Sequence, residues 1–406
     1  MVQESTNGKY LITTAYMGFG HLRAAHNLGA LGNGPILRVD RNPFLKARDR
    51  LVWTATQYVH TTASQDVEGR NKVLFRWFEG IMELPDDHTP PSVKGAEFIQ
   101  TLSKLGVGKK LAGMLGNRSS AIVHTFYLPA MLSLYHGFTG KNFLLLCDSD
   151  FHRVWVPVDA AGSSLYYLVP TAHSADRLVS YGVNSKKIFV TGFPLPFSGQ
   201  NDDGSQKLRE AVDARSKRVG PASNVPITVM FPFSGAGAYS NVLSKIISSL
   251  ADNLREGSIR LVVSCGNNIH AFAKTRKILS GSGIDRQESI RVIFNPDLFS
   301  SFDEFNSALE QTDVVVTKPG ELVFYAALGL PMLLLRPIGG HEAGNREYLK
   351  KNNCAMDLAS PEKLQDWLRE SRTSGKLLEL TQNGYNNLPR NGAAEIDQVV
   401  RSNTES

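Results

Sequence analysis

The segment VVVTKPGELVFYAALGLPMLLLRPIGGHEAGN, residues 314–345, decides the fold. Val314 to Thr317 read as a buried strand that stops at the turn Lys318-Pro319-Gly320. An apolar block follows, interrupted by Gly329 and Pro331, and Met332 to Leu335 make a second buried run. Pro337-Ile338-Gly339-Gly340 then opens a polar helix carrying His341, Glu342 and Asn345. The pattern predicts strand, tight turn, short apolar helix, strand, polar turn and helix. Both helices begin beyond the carboxyl ends of parallel strands, where backbone N–H groups and the helix dipole favour negative charge. A phosphate-bearing ligand is the first expectation.

The same alternation extends outward. Residues 10–16 read as a strand, 17–20 as a glycine turn, a helix starts near His21, and 35–39 form the next strand. Further strands are expected at 121–124, 142–146, 166–169 and 187–190, with helical patterns between them, so the sheet should be parallel. Residues 198–224 change in composition to a polar, charged stretch; 206–218 can form one helix, but its apolar content is low and a linker reading fits better. A second series starts at 227–231, turns at Ser234-Gly235-Ala236-Gly237, and continues through strands at 260–264, 290–294 and 314–316. A chain of 406 residues also exceeds what one core comfortably fills. Two α/β domains follow, 1–197 and 225–385, on either side of the linker and with a ligand cleft between them. In the tail, 386–406, a helix-like piece at 393–400 is expected to pack back on the first domain.

Composition excludes disorder and fibrous architectures. The net charge of +6 is compatible with nucleic acid, an anionic membrane surface or anionic small ligands. Nucleic acid is disfavoured, because no zinc spacing, basic zipper or RNA-recognition aromatic motif is present. Cys147, Cys265 and Cys354 are odd in number and widely separated, which fits neither a metal site nor a disulfide framework. Without an apolar leader a reducing cytoplasm is expected. The apolar run 322–335 is shorter than the roughly 20 residues that span a bilayer.

Four places bear candidate chemistry. Gly18 and Gly20 allow a sharp turn and close approach of the backbone to a ligand, and place His21 at a helix start, able to take a hydroxyl proton. A structural turn with a solvated histidine is an equal reading. Asp148-Ser149-Asp150-Phe151-His152 follows a strand, so Asp148 and His152 are candidates for acid/base or hydrogen-bonding work; turn and capping chemistry is the alternative. Ser234, Gly235 and Gly237 can present N–H groups to a diphosphate, or form a plain turn. Lys318, Gly320, Glu321, Glu342 and Asn345 make up the opening segment, where a carboxylate can bind sugar hydroxyls or only complement a helix dipole. Over residues 43–84 the aromatics Phe44, Trp53, Tyr58, Phe75, Trp77 and Phe78 alternate with Lys46, Arg48, Arg50, Arg70, Lys72 and Arg76. Such a stretch either docks on an anionic bilayer or, more commonly, forms helices with an ordinary core face.

In this order the motifs resemble the monogalactosyl- and glucosyl-diacylglycerol synthases and the N-acetylglucosaminyltransferase that completes the lipid-linked peptidoglycan precursor. The motifs concerned are Gly-x-Gly-His-x-x-Ala-Ala from Gly18, Asp-x-x-x-His-x-x-Trp from Asp148, Lys187 to Pro194, and Thr-Lys-Pro-Gly with Gly-Leu-Pro and Gly-x-Glu-x-x-Asn. The likeness runs from residue 10 to 358. It implies a GT-B glycosyltransferase with two facing Rossmann-like, doubly wound domains, an acceptor-binding amino half and a nucleotide-sugar-binding carboxyl half, inverting and without a metal. Carried over by position, His21 and Asp148 are the two candidates for the base. Gly235 and Gly237 face phosphate, and Glu342 with Asn345 meets the donor sugar. In these enzymes a ribose-binding glutamate of a Glu-Ala pair follows the Lys-x-Gly turn by about six residues; here Phe324 and Tyr325 stand there, in a segment about two residues shorter.

The expectation is therefore a glycosyltransferase that moves a sugar from a nucleotide-sugar co-substrate, UDP-linked, to a hydroxyl of a lipid or other small acceptor. It needs no cofactor or metal, binds no nucleic acid, and works in the cytoplasm, peripherally at the inner membrane face. The alternatives are a nucleotide-sugar hydrolase or epimerase, and a non-catalytic sugar-nucleotide-binding protein.

Overall fold

The computed structural model of the chain describes residues 10–31, 34–65, 92–116, 118–197, 202–233, 240–338 and 340–404. The chain divides into two compact units, Met1–Gln200 with Asn391–Ser406, and Asn201–Arg390. The first runs through β1 (Leu11–Thr14), α1 (Phe19–Gly29), β2 (Ile36–Arg38), α2 (Ala47–Gln65), α3 (Lys94–Lys104), α4 (Lys109–Gly116) and β3 (Ala121–His124). It continues with α5 (Tyr127–Tyr135), β4 (Lys141–Leu145), β5 (Tyr166–Val169), α6 (Ala172–Ser180) and β6 (Ile188–Val190). The strands form one parallel sheet in the order β2-β1-β3-β4-β5-β6. β1 and β3 are buried along their whole length, which is why neither shows the apolar and polar alternation of a half-exposed strand.

The second unit comprises α7 (Asp202–Val219), β7 (Ile227–Pro232), α8 (Ser240–Glu256), β8 (Ile259–Ser264), α9 (Ile269–Gly281), β9 (Ile290–Ile293), α10 (Leu298–Leu309) and β10 (Val314–Thr317). A 3-10 helix, Glu321–Leu328, leads to β11 (Met332–Leu334), α11 (Gly340–Lys351), β12 (Ala355–Asp357), α12 (Leu364–Thr373) and α13 (Lys376–Asn387). Its sheet is also parallel, ordered β12-β11-β10-β7-β8-β9. The last helix, α14 (Gly392–Thr404), lies in the first unit. There Gly392 sits so close to the chain that a Cβ would stand 2.2 Å from the carbonyl oxygen of Phe193.

Each sheet reverses its direction of winding at one place, β1/β3 in the first and β7/β10 in the second. Crevices outside the carboxyl ends of strands at such a reversal are where open α/β sheets bind ligands. Loops that carry the sequence motifs leave the sheets at both.

Residues 202–219 differ from the linker read from their composition: they form α7, and its Arg215 is 2% exposed. The guanidinium donates to the carbonyls of Thr312 (2.7 Å), Leu328 (2.7 Å), Leu309 (2.9 Å) and Gly329 (3.3 Å). One turn on, Arg218 pairs with Asp313 at 2.7 Å, and Asp313 also accepts from the Thr228 amide at 2.9 Å. An inward-facing arginine inside a charged run has no hydropathy signature, so composition favours a linker over the helix that is present.

Candidate functional site

In the first unit β1 ends at Thr14, and the chain turns through Gly18, whose φ of 93° is open to glycine and strained for other residues. Gly20 and His21 follow in the first turn of α1. The His21 ring is nearly buried, packed on Phe126 (centroids 5.1 Å apart) and Trp155 (5.7 Å). The first motif thus meets the last residue of the second. Phe126 itself leaves β3 at the reversal point and precedes α5.

Hydroxyls lace this corner together. Thr125 Oγ1 donates to Thr14 Oγ1 (3.0 Å), which donates to the backbone carbonyl of His21 (3.2 Å). Next to them Thr13 Oγ1 and His124 Nδ1 share a 2.6 Å hydrogen bond. His124 is wholly buried, and desolvation pushes its pKa down to about 3, so the ring is neutral at physiological pH. Sequence reading passed over these threonines and His124 because they lie inside strands, where small β-branched residues look like ordinary sheet.

Asp148 is partly exposed beyond β4, and His152 caps the 3-10 turn Arg153–Trp155. Asp150, between them, is committed to holding the loop. Arg177 of α6 grips it with two bonds of 2.9 Å, the Phe151 amide donates at 2.9 Å, and His173 lies 3.4 Å away. Burial alone would raise the carboxyl pKa, but hydrogen bonds from His173 and Arg177 and the charge of Arg177 hold it at about 2. Ser174 Oγ ties down the carbonyl of Ser149 at 2.9 Å. The loop bearing Asp148 and His152 is therefore anchored from α6.

In the second unit Lys318, Pro319 and Gly320 form a tight turn beyond β10, with the Gly320 amide donating to the Lys318 carbonyl at 2.8 Å. α11 grips this turn at two points. Lys318 Nζ donates to Glu342 Oε1 in a short ion pair, and Asn345 Nδ2 donates to the Pro319 carbonyl at 3.1 Å. Glu342 Oε2 also accepts from the Ile338 amide at 2.8 Å. Burial alone would raise the Glu342 pKa, but the charges of Lys318 and His341 together with the hydrogen bonds from Lys318 and the Ile338 amide outweigh it and keep the carboxyl below its ordinary range. Lys318, Glu342 and Asn345 are thus brought together by structure. Glu321 opens the 3-10 helix, half-buried. Phe324 and Tyr325 are core residues, packed on Tyr348 of α11 (5.9 Å) and Phe305 of α10 (6.1 Å). Ser234, Gly235 and Gly237 lie outside the described residues.

Of the aromatic and basic stretch over 43–84, Phe44 and Trp53 are core residues, while Tyr58 is exposed. Arg70, Lys72, Phe75, Arg76, Trp77 and Phe78 lie outside the described residues. Among the described residues no group of three or more His, Cys, Asp or Glu side chains is placed to hold a metal ion. No described helix is long and apolar enough to cross a membrane.

Known proteins resemble both units. Among curated relatives, the processive diacylglycerol beta-glucosyltransferase of Bacillus pumilus (strain SAFR-032) is 23% identical over 359 residues, 87% of this chain and 83% of its own length. That of Bacillus subtilis (strain 168) is 21% identical over 87% of this chain and 84% of its own. The Bacillus cytotoxicus protein is 23% identical over 98% and 94%. The UDP-GlcNAc 2-epimerase from Neisseria meningitidis, solved bound to UDP-GlcNAc, shares the architecture with a TM-score of 0.52 at 12% identity, covering 97% of this chain and 100% of that one. The S. aureus MnaA–UDP co-structure matches with a TM-score of 0.50 at 11% identity, covering 96% and 95%. A family described as a domain of unknown function (DUF6938) matches residues 268–384. The fold is GT-B, built from two Rossmann-like domains. Together the fold and the named relatives support a glycosyltransferase, and the relatives it resembles over most of its length are the diacylglycerol glucosyltransferases.

Proposed function

We propose that this chain is an inverting, metal-independent glycosyltransferase that moves a sugar from a UDP-sugar to a hydroxyl of a lipid acceptor at the inner face of the cytoplasmic membrane. The observation that carries the reading is the length of the match. Relatives named for glucosyl transfer to diacylglycerol align along 86–98% of the chain, so they cover both Rossmann-like units. Geometry supports the division of labour. Lys318 and the amides at the starts of the 3-10 helix and α11 suit a leaving diphosphate, whose developing charge they would stabilise. The resemblance assigns Glu342 and Asn345 to the sugar hydroxyls, while their buried side chains hold the Lys318 turn. In the first unit His21 and Asp148 are the candidate bases. His21 is the better oriented, since its ring is wedged between two aromatics and its carbonyl is held by Thr14. Attack by the acceptor hydroxyl on the anomeric carbon breaks its bond to the diphosphate oxygen, and the base takes the hydroxyl proton.

Purified full-length protein mixed with UDP-, GDP- and dTDP-sugars tests the reading through release of the nucleoside diphosphate. Release that depends on added membrane lipid is the expected result. Equal turnover with donor alone would indicate a hydrolase or an epimerase, the latter turning over without releasing diphosphate. Nucleotide-induced thermal stabilisation without any turnover would indicate a binding protein.

A further inference from the structure

Glu342 and Asn345 stand where the resemblance expects ligands of the donor sugar, and the structure occupies both otherwise. Glu342 is 2% exposed and Asn345 is 0% exposed, so neither offers its polar atoms to a hydroxyl arriving from solvent. One oxygen of the carboxylate takes the Lys318 ammonium, and the other takes the Ile338 amide at 2.8 Å. Asn345 Nδ2 donates to the Pro319 carbonyl at 3.1 Å. The member of the ion pair that reaches solvent is the lysine, whose side chain is 20% exposed.

These bonds join two loops into one frame. Residues 318–320 leave the carboxyl end of β10 and Ile338 precedes α11, so a single buried carboxylate fixes the lysine of one loop against the backbone of the next. A free lysine side chain samples many rotamers and must give them up to hold a phosphate; one already pinned by an ion pair has given them up on folding. The carboxylate's repulsion of a diphosphate is offset by the ammonium it pairs with, which leaves this preorganisation to decide the sign. Burying the carboxylate without that partner would be strongly unfavourable, so the two side chains hold each other.

We infer that Glu342 and Asn345 are positioning residues of the phosphate-facing turn, acting on the nucleotide through Lys318 and Pro319 without touching the sugar. This rests on the nucleotide-sugar reading above and departs from the role that the resemblance carries over. Affinities of the full chain for UDP, UDP-glucose, UDP-galactose and UDP-N-acetylglucosamine, measured by calorimetry, separate the two roles. Glu342→Gln keeps the shape, removes the charge and sets an amide against the Ile338 N–H. It should weaken UDP and the UDP-sugars alike, about tenfold, leaving the ratio of each sugar to UDP within about twofold. Asn345→Ala should weaken all of them alike by about threefold, and it carries the comparison should Glu342→Gln not fold. Lys318→Met should weaken every ligand about tenfold or more, and adding Glu342→Gln to it should weaken none further, because the carboxylate then has no lysine to hold. A merely structural role would add its full loss in that background. Loss of about tenfold for a UDP-sugar with UDP spared would make the residue a sugar ligand and overturn the inference. Tighter UDP binding by Glu342→Gln, or full additivity with Lys318→Met, overturns it as well. Wild-type protein that binds none of these ligands overturns the nucleotide-sugar reading, and the inference with it.

Discussion

Asp148 and Asp150 sit two residues apart in one loop, and their surroundings divide their roles. Asp150 is held by Arg177, His173 and a backbone amide, so its carboxyl stabilises the folded loop, whereas Asp148 stands partly exposed beyond β4. The folded-state pKa of Asp150, about 2, lies below the ordinary 3.8, so its contribution is fully present above about pH 4 and is lost as pH falls toward 2. Asp150→Asn should therefore lower stability at neutral pH by about 2 kcal/mol. In denaturant titrations the gap from wild type should close as pH drops from about 4 to about 2; a gap that widens there would refute the assignment. For His21 the expectation is kinetic. His21→Ala should lower kcat by a hundredfold or more, on the order expected for a lost general base, while UDP-induced thermal stabilisation stays unchanged. Unchanged kcat would move the role to Asp148.

At the scale of elements, the connection from β10 to β11 is where the sequence leads one to expect a departure from the resembling synthases. It is wound as a 3-10 helix of eight residues. At a rise of about 2.0 Å per residue such a helix spans about 16 Å, a distance that an α-helix covers with about ten or eleven residues. The tighter winding lets eight residues cover that distance on the way to β11. Runs of this length are uncommon in 3-10 form, and the surrounding contacts hold it. Arg215 takes the carbonyls of Leu328 and Gly329 at its end, Gly329 adopts a left-handed conformation (φ 69°), and Gly384 of α13 lies where a Cβ would stand 2.2 Å from the Ala326 carbonyl. The same winding buries Phe324 and Tyr325, so Glu321 is the acidic side chain that this helix offers near the Lys318 turn. Arg215→Met should cost on the order of 3 kcal/mol through carbonyls left without donors, and should weaken nucleotide-induced stabilisation as the turn loosens. A shift below about 0.5 kcal/mol would show that the arginine is incidental.

For the whole molecule, the two parallel sheets and nearly all their strands were legible in the sequence, because strands buried on both faces announce themselves as short apolar runs. β12 was not: it is three residues at a sheet edge, Ala355–Asp357, with no periodicity to betray it. Nor was the inward turn of Arg215, which makes the helix possible over 206–218 a packed part of the second unit instead of a linker, or the 3-10 winding, which differs from an α-helix only by a register that hydropathy does not encode. The glycine and lysine turns at the reversal points were legible, since turn chemistry is local. The threonine and histidine network under His21 was not, since it joins strands more than a hundred residues apart. The central claim, transfer of sugar to lipid, is tested most directly by following a radiolabelled sugar from its UDP-linked donor with diacylglycerol in mixed micelles. Label moving into the organic phase in step with UDP release is the predicted result. UDP released with all label left in water, or no release with any nucleotide sugar and lipid extract, would contradict it.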